Sequence, residues 1–347
     1  MTIIRIEALS DISTGARSGH QDNGPLVDRL AWCLIVGALI SAPVVFSADY
    51  PVRPIRFIVP SAAGGGPDTS SRMLAIDLSV VLGQQIVVDN RPGASGVIGT
   101  DLTAKANPDG YTIGQGNILT LALNRSLLKS LPYDIDKDLK PVVQFSFVTN
   151  LLAVTPLLPV KSVKELIAYA KANPGKVAYG SGGIGTTHHL GMELLAHMTG
   201  TKMVHVPYKA AQQAIVELTT GQIQAMSDGI ASILPHVRAG RVRGLATTGS
   251  KRSTGAPDLP TIAEAGVNGY EVISWNGMVV PSRVPSSIVN RLNAAVNQVI
   301  SSADFKERIG KIGYETVGGT PEEFKALIAN DTRKWAEIIK ISGAKAD

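Results

Sequence analysis

Residues 55–69 read IRFIVPSAAGGGPDT, and this stretch decides the fold. The apolar run Ile55–Val59 predicts a buried strand, and the glycines after it predict a tight turn. Pro67 suits the first turn of a helix, and Asp68 and Thr69 supply the polar groups typical of a helix N-terminus. Glycines let a backbone approach a ligand closely, and a helix start leaves amide N–H groups unpaired. The stretch therefore predicts a strand, a turn and a helix whose N-terminus can receive an anion.

A second turn of the same kind lies at residues 177–187, which read VAYGSGGIGTT. Ser181 and Thr186 supply hydroxyl donors beside glycines that expose the backbone, a combination that suits a carboxylate. Two such turns without a catalytic constellation near either predict a protein that holds an anion and does not transform it. The alternative interpretation is an ordinary strand-to-helix connection with Thr186 as the N-cap.

Short β-rich segments alternate with helical patterns after the first strand, which indicates α/β architecture with parallel, doubly wound sheets. The strand candidates are many for one open sheet, so two sheets of about five strands are expected. The apolar runs at residues 142–154 and 272–280 are long enough to cross between them. We therefore expect two doubly wound domains with a ligand cleft between them. The first domain combines residues 49–145 and 277–347, and the second is residues 146–276.

The first 48 residues predict an export signal that is not part of the fold. Arg29 precedes an apolar run at residues 30–46, and the small residues Ser47 and Ala48 follow it. This is the layout of a cleavable secretory signal peptide, with a retained membrane anchor as the alternative. The acidic residues before Arg29 are atypical of a signal peptide and favour a translation start closer to the apolar run.

Composition excludes several classes of function. Cys33, the only cysteine, lies in the signal segment, so the exported chain has no thiol for disulfides, catalysis or metal binding. Export without disulfides is consistent with the bacterial periplasm. The formal net charge of +5 is spread along the chain without a basic run, so nucleic acid is not an expected partner.

The motifs give little support to a metal site or to an enzyme. His189 and Glu193 lie four residues apart on one predicted helix, but no HExxH motif is present, so no metal is expected. The sequence at residues 180–182 does not match the nucleophile elbow of serine hydrolases, and no dinucleotide fingerprint is complete. We expect no cofactor and no enzymatic activity, and a periplasmic enzyme with an unrecognised site is the weaker alternative.

Motifs along nearly the whole exported chain match one known family. They lie at residues 50–56, 59–68, 88–96, 107–112, 131–134, 179–186, 206–209, 235–240, 259–266 and 275–277. In this order they resemble the Bug-type (TctC-like) solute receptors of tripartite tricarboxylate transporters. One common form of the family has proline and threonine where this chain has Gly66 and Pro67, a change that bears on the shape of the first turn and on its ligand.

The resemblance implies a periplasmic binding protein of type II, exported to the periplasm and monomeric. Such a receptor closes around a small organic carboxylate or amino acid and delivers it to the permease subunits in the membrane. The residues that it implies for the two turns are Ser61, Ala62, Asp68, Ser181, Gly185 and Thr186. Asn117, Thr120, Tyr208 and Asp228 are expected to line the distal part of the pocket.

Several of these residues also have structural interpretations. Asp68 repels an anion directly, so we expect it to shape the first turn or to receive a ligand amine or a bridging water. Tyr208 is equally compatible with packing at a strand end, and Asp228 with capping of the next helix. Trp275 is expected to pack where the chain crosses between domains. An accessory protein for a membrane sensor kinase is the alternative function, because its binding chemistry is identical, and the sequence leaves the bound carboxylate open.

Overall fold

The computed structural model describes residues 50–345. The predicted signal peptide, the start of translation and Cys33 lie outside these residues. The chain from residue 49 on forms one compact unit. Within the described residues, no helix has both the length and the apolar character needed to cross a membrane.

Strands and helices alternate through most of the unit. The strands are β1 Ile55–Val59, β2 Ile86–Asn90, β3 Thr112–Asn117, β4 Leu139–Val154, β5 Ala178–Ser181, β6 Val204–Pro207, β7 Ala225–Gly229, β8 Arg243–Thr247, β9 Ile273–Pro281 and β10 Tyr314–Glu315. The helices are α1 Gly66–Leu82, α2 Val97–Ala104, α3 Asn124–Leu127, α4 Ile135–Asp138, α5 Val163–Ala172, α6 Thr187–Thr199, α7 Ala211–Thr220, α8 Ile230–Arg238, α9 Ser286–Ser301, α10 Ala303–Gly310 and α11 Pro321–Ser342. A π-helical turn, Leu119–Leu123, leads into α3.

All ten strands belong to one hydrogen-bonded sheet with the order β2-β1-β3-β9-β4-β7-β5-β6, while β8 and β10 also pair with β4. The strands β1, β2 and β3 pair in parallel, as do β5, β6 and β7. Every pairing of β4 and β9 is antiparallel. The expectation of two separate parallel sheets is therefore wrong at the centre of the molecule, because β4 runs through both halves and joins them.

The long strand β4 spans 16 residues and joins the two halves of the sheet. Its first part pairs with β9, and its last part pairs with β7 and β8. Thr149 and Asn150 interrupt the apolar pattern, yet both are buried. Thr248 stabilises this point, because its Oγ1 accepts a hydrogen bond from the Asn150 N–H at 2.9 Å. The side chain of Thr248, which directly follows β8, thus satisfies the backbone at a polar point where an ordinary strand would end.

Apolar side chains cover both faces of the sheet. Helices α1 and α9 pack together over one face of the first half, around residues such as Leu74, Leu78 and Leu292. The C-terminal helix α11 packs against β4, α3 and α6, so it contacts elements from both halves. Trp275 on β9 packs edge-on against Phe324 of α11, with ring centroids 5.4 Å apart, and donates its indole N–H to Asp331. These contacts fix the crossing strand against the helix that spans the junction.

Candidate functional site

A cavity of about 380 Å³ lies where the carboxyl ends of β1, β3 and β5 face the crossing strand β9. Its polar lining includes Asn117, Thr186, Thr187, His188, Asn276 and Tyr314. Its apolar lining includes Ile118, Leu119, Leu123, Leu127 and Ile184. The carboxyl ends of strands in open α/β sheets are where ligands bind, so this cavity is the candidate site.

The turn between β1 and α1 is organised by a buried carboxylate. Asp68 is only 2% exposed and accepts hydrogen bonds from the Gly64 N–H at 2.8 Å and from the Asn90 amide at 2.8 Å. Arg72, one helical turn later, forms an ion pair with it at 3.0 Å. Burial alone would raise the pKa of Asp68, but these donors outweigh it and lower the pKa. The carboxylate is therefore charged and fully engaged in shaping the turn.

The other predicted residues of the first turn also lie off the cavity wall. Ala62 is exposed, and Ser61 is half-buried with an Oγ that has no hydrogen-bond partner within residues 50–345. Only Pro67 of this turn lines the cavity. In this conformation, the structure does not bring Ser61, Ala62 and Asp68 to the cavity surface.

The turn after β3 is held by a reciprocal pair. The Thr120 N–H donates to Asn117 Oδ1 at 3.0 Å, and the Asn117 N–H donates to Thr120 Oγ1 at 3.1 Å. Thr120 is buried beneath the turn, whereas Asn117 lines the cavity. The pair fixes the position of the asparagine amide at the cavity wall.

The turn after β5 places Gly185 and Thr186 on the cavity wall. Thr186 caps α6, because its Oγ1 accepts from the His189 N–H at 3.3 Å and donates to the Gly183 carbonyl at 2.8 Å. Gly185 has a φ of +78°, which favours glycine, and its N–H donates to His189 Nδ1 at 3.2 Å. The Gly185 amide is thus already engaged by a side chain of the helix that follows.

A pair of stacked histidines, the buried His189 and the half-buried His205, supports this turn from behind. Ser181 is fully buried, and its Oγ lies 2.7 Å from His205 Nε2. Its side chain therefore faces the histidines and not the cavity. The His189 and His205 rings stack with centroids 3.8 Å apart. Burial lowers the pKa of both imidazoles to about 4, and for His189 the neighbouring His205 adds to the effect. Both rings are therefore neutral near pH 7.

His189 lies 4.0 Å from Glu193, whose carboxylate also accepts a hydrogen bond from the Tyr179 hydroxyl. This is the pair that the sequence raised as a metal alternative. Among residues 50–345, no cluster of three or more histidine, cysteine, aspartate or glutamate side chains is arranged to hold a metal ion. The histidines act here as buried packing and hydrogen-bonding groups.

In the first turn of α6, His188 connects the cavity to a buried acid. His188 Nε2 lies 2.9 Å from Asp228 Oδ1, and Asp228 at the end of β7 is buried. Asp228 therefore reaches the cavity only through His188. Tyr208 does not line the cavity. Its backbone N–H donates a hydrogen bond to the Ser181 carbonyl at 3.1 Å, next to the turn after β5.

Sequence reasoning missed several wall residues. Ser274 and Asn276 flank Trp275 on β9, within the crossing strand that was expected, and the motif at residues 275–277 was their available signal. Ser95 follows a glycine turn and has a positive φ of 54°, uncommon for a residue with a side chain. Tyr314 comes from the two-residue strand β10, which is too short to give a periodic pattern.

The cavity wall combines neutral hydrogen-bonding groups with apolar side chains. No lysine or arginine is found among the described residues that line the cavity. Hydroxyls and amides provide neutral donors, and the Ser274 and Thr187 hydroxyls lie 2.7 Å apart as one polar unit. The leucine-rich wall from Leu119 to Leu127 offers apolar contact. Such a mixture of few polar groups and apolar walls is typical of small-molecule sites.

Comparisons with known proteins show the family to which the chain belongs. The family model of the tripartite tricarboxylate transporter family receptor matches residues 70–344. Protein BugT of Bordetella pertussis is 39% identical over 313 residues, which cover 90% of this chain and 95% of BugT. These matches extend over both halves of the sheet.

Two solved structures give the same fold with ligands. Rpa4515 of Rhodopseudomonas palustris, determined with adipate, is 37% identical with a TM-score of 0.72, and the match covers 85% of this chain and 99% of that protein. MatC from the same organism, with bound malate, is 29% identical with a TM-score of 0.68, covering 84% of this chain and 100% of that one.

Proposed function

The chain belongs to the receptor family of tripartite tricarboxylate transporters, and on this premise we propose that it captures a small organic carboxylate and delivers it to the permease subunits of such a transporter. The family and the α/β fold class of periplasmic binding proteins that the sequence predicted are confirmed. The proposed place of action is the periplasm, reached through a cleavable signal peptide in residues 1–48.

The observation that carries the proposal is the cavity between the strand ends. Its neutral polar groups, among them the Asn117 amide and the paired hydroxyls of Thr187 and Ser274, replace the water around a carboxylate. A hydrogen bond to a charged group contributes about 1.5–3 kcal/mol, so a few of them suffice for firm binding without a cationic side chain. The hydrocarbon part of the acid then packs against the leucine wall.

The proposed ligand class follows from the relatives. Adipate and malate are dicarboxylates, and each is present in a solved structure of a relative. We therefore place dicarboxylates first among the candidate ligands, with monocarboxylates and amino acids after them. The ten site residues predicted from the sequence divide into two roles in this proposal. Asn117, Gly185 and Thr186 contact the ligand, while Ser61, Ala62, Asp68, Thr120, Ser181, Tyr208 and Asp228 shape the turns around them.

Binding is proposed to close two domains, residues 49–145 with 277–347 and residues 146–276. The strands β4 and β9 join the halves of the sheet and are the connections about which such a movement would turn. The closed monomer presents the surface that the permease recognises. An accessory role for a membrane sensor kinase is the second candidate, since its binding step would be the same.

A thermal-shift screen of the purified protein tests the proposal. The panel contains mono-, di- and tricarboxylates and amino acids, applied after unfolding and refolding to remove carried-over ligand. A ligand at a hundred times its dissociation constant stabilises the fold by about 2.7 kcal/mol, which raises the melting temperature by a few degrees.

A selective shift by one carboxylate, with the acid recovered unchanged after prolonged incubation, supports a receptor. No shift with any carboxylate overturns the proposed ligand class. Chemical conversion of the bound acid would instead establish an enzyme.

A further inference from the structure

Tyr314 reaches the cavity from an unexpected part of the chain. The short strand β10 pairs antiparallel with β4, with Tyr314 opposite Val148. This pairing brings the C-terminal segment back to the junction of the two halves, and Tyr314 becomes part of the cavity wall. The phenol ring therefore stands beside the start of α1, far from it in sequence.

Gly66 leaves the space that the phenol occupies. A Cβ atom added at Gly66 would lie 2.5 Å from the Tyr314 hydroxyl oxygen and 3.3 Å from two carbons of its ring. Real Cβ atoms do not approach other atoms to 2.5 Å, so any side chain at this position displaces the hydroxyl. Gly66 is the first residue of α1 and does not have a positive φ, so its backbone conformation does not require glycine. The close approach of Tyr314 is the better explanation for a glycine at this position.

The start of α1 has one backbone donor fewer than an ordinary helix N-terminus. Pro67, two positions after the N-cap residue Gly65, has no N–H. The Tyr314 hydroxyl is a donor placed at the same end of the cavity. Burial raises the pKa of Tyr314, and a hydrogen bond with Asn276 only partly offsets this, so the phenol keeps its proton over the whole physiological range.

We propose that Tyr314 is a specificity-determining residue, whose phenolic O–H donates a hydrogen bond to a carboxylate oxygen of the bound acid, and that Gly66 provides the room for it. This assignment rests on the proposed function and names the contact for the ligand head. Asn276, which also lines the cavity, orients the hydroxyl.

The test compares Tyr314→Phe with the wild type by isothermal titration calorimetry, using adipate, malate and hexanoate as probes. Removing one hydrogen bond to a charged group is expected to weaken binding on the order of ten- to a hundredfold. The matched control is Tyr169→Phe, because Tyr169 is partly buried on α5 and does not line the cavity. Melting temperatures without ligand separate a loss of binding from a loss of stability.

A double-mutant cycle tests the role of Gly66. Gly66→Ala is expected to weaken binding in the wild type as much as Tyr314→Phe does, since its methyl group displaces the hydroxyl. In the Tyr314→Phe background the same change is expected to cost much less, because the oxygen at 2.5 Å is gone. Strong non-additivity is therefore the predicted result.

The outcomes distinguish this assignment from the proposed function. Wild-type protein that binds none of the three acids and no acid of the thermal-shift panel overturns both. Wild-type protein that binds an acid, with Tyr314→Phe equal to it within twofold, overturns the assignment alone. Equal weakening by Tyr314→Phe and Tyr169→Phe, or a fall in melting temperature that accounts for the whole loss, also overturns it.

Discussion

At the scale of single residues, Asp68 illustrates how a carboxylate can serve an anion site without touching the anion. Its oxygens accept from Gly64, Asn90 and Arg72, and these bonds hold the turn that leads into α1. The sequence predicted this role as the alternative to ligand contact, because a direct contact would be repulsive. Replacing it should therefore change the stability of the turn first and affinity only indirectly.

We expect Asp68→Asn to lower the free energy of unfolding by about 2 kcal/mol, since it loses charge-assisted bonds to a buried group. Urea denaturation at pH 7 measures the change. The exposed Asp258 provides the control, and Asp258→Asn should have no effect. Because the pKa of Asp68 is lowered on folding, its contribution is present above pH 3.8 and is lost as the pH falls below that value. A difference between variant and wild type that persists unchanged in strong acid would contradict this explanation.

The stacked histidines make a second prediction at this scale. Their pKa of about 4 in the folded protein lies below the usual value of 6.5, so unfolding takes up protons between these two pH values. Stability is therefore complete above pH 6.5 and falls as the pH drops toward 4. In His205→Gln this pH dependence should weaken by as much as about 1.4 kcal/mol per pH unit, the contribution of one proton.

Urea denaturation between pH 4.5 and 7 measures this slope. His197, exposed near the end of α6, supplies the matched control, and His197→Gln should retain the wild-type slope. Identical slopes in all three proteins would mean that the stacked histidines do not titrate as the structure indicates.

At the scale of elements, substitutions at two helix N-caps can distinguish an effect on stability from an effect on ligand binding. Thr186 caps α6 at the cavity wall, and Ser162 caps α5 away from it, accepting from the Glu165 N–H at 3.1 Å. Changing either to alanine should cost about 1 kcal/mol of stability. Only Thr186→Ala should also weaken the binding of the carboxylate, because only Thr186 lines the cavity.

Calorimetric titration and urea denaturation of both variants test this pair. Equal loss of affinity in Thr186→Ala and Ser162→Ala would assign the effect to stability alone and remove Thr186 from the site.

Elements with strong local signals were predictable from the sequence. The strand Ile55–Val59 has the predicted bounds, because its run of apolar residues defines it locally. The strand β4 begins at Leu139, three residues before the predicted apolar run, and its polar residues Thr149 and Asn150 are buried by partners distant in sequence. Short-range patterns carry no information about such partners.

The candidate site, like the fold, could be predicted only in part. The two glycine turns were located from sequence, since glycine and proline act on the backbone locally. Which residues of those turns face the cavity depends on hydrogen bonds such as Ser181 to His205, whose partners come from another strand. Tyr314 could not be predicted as a site residue, because a two-residue strand leaves no periodic pattern in the sequence. The reason for a glycine at position 66 is visible only in the structure, where the Tyr314 phenol lies beside it.

At the scale of the whole molecule, the proposed closure has a measurable consequence. The strands β4 and β9 connect the halves, and α11 packs on elements of both. If a carboxylate closes the halves around the cavity, the radius of gyration should decrease when the acid is added. Small-angle X-ray scattering with and without a saturating carboxylate measures it, with a non-binding amino acid as the control. An unchanged radius in the presence of a bound acid would show that capture occurs without closure.

The central claim is that this chain binds a small carboxylate in the cavity between the strand ends. Isothermal titration calorimetry of the purified protein with adipate and malate, followed by recovery of the acid, tests it most directly. The account predicts saturable binding of one acid per chain, with the acid recovered intact and the affinity reduced in Thr186→Ala. The absence of binding heat with both acids and with the wider carboxylate panel, or binding that Thr186→Ala and Tyr314→Phe leave unchanged, would contradict it.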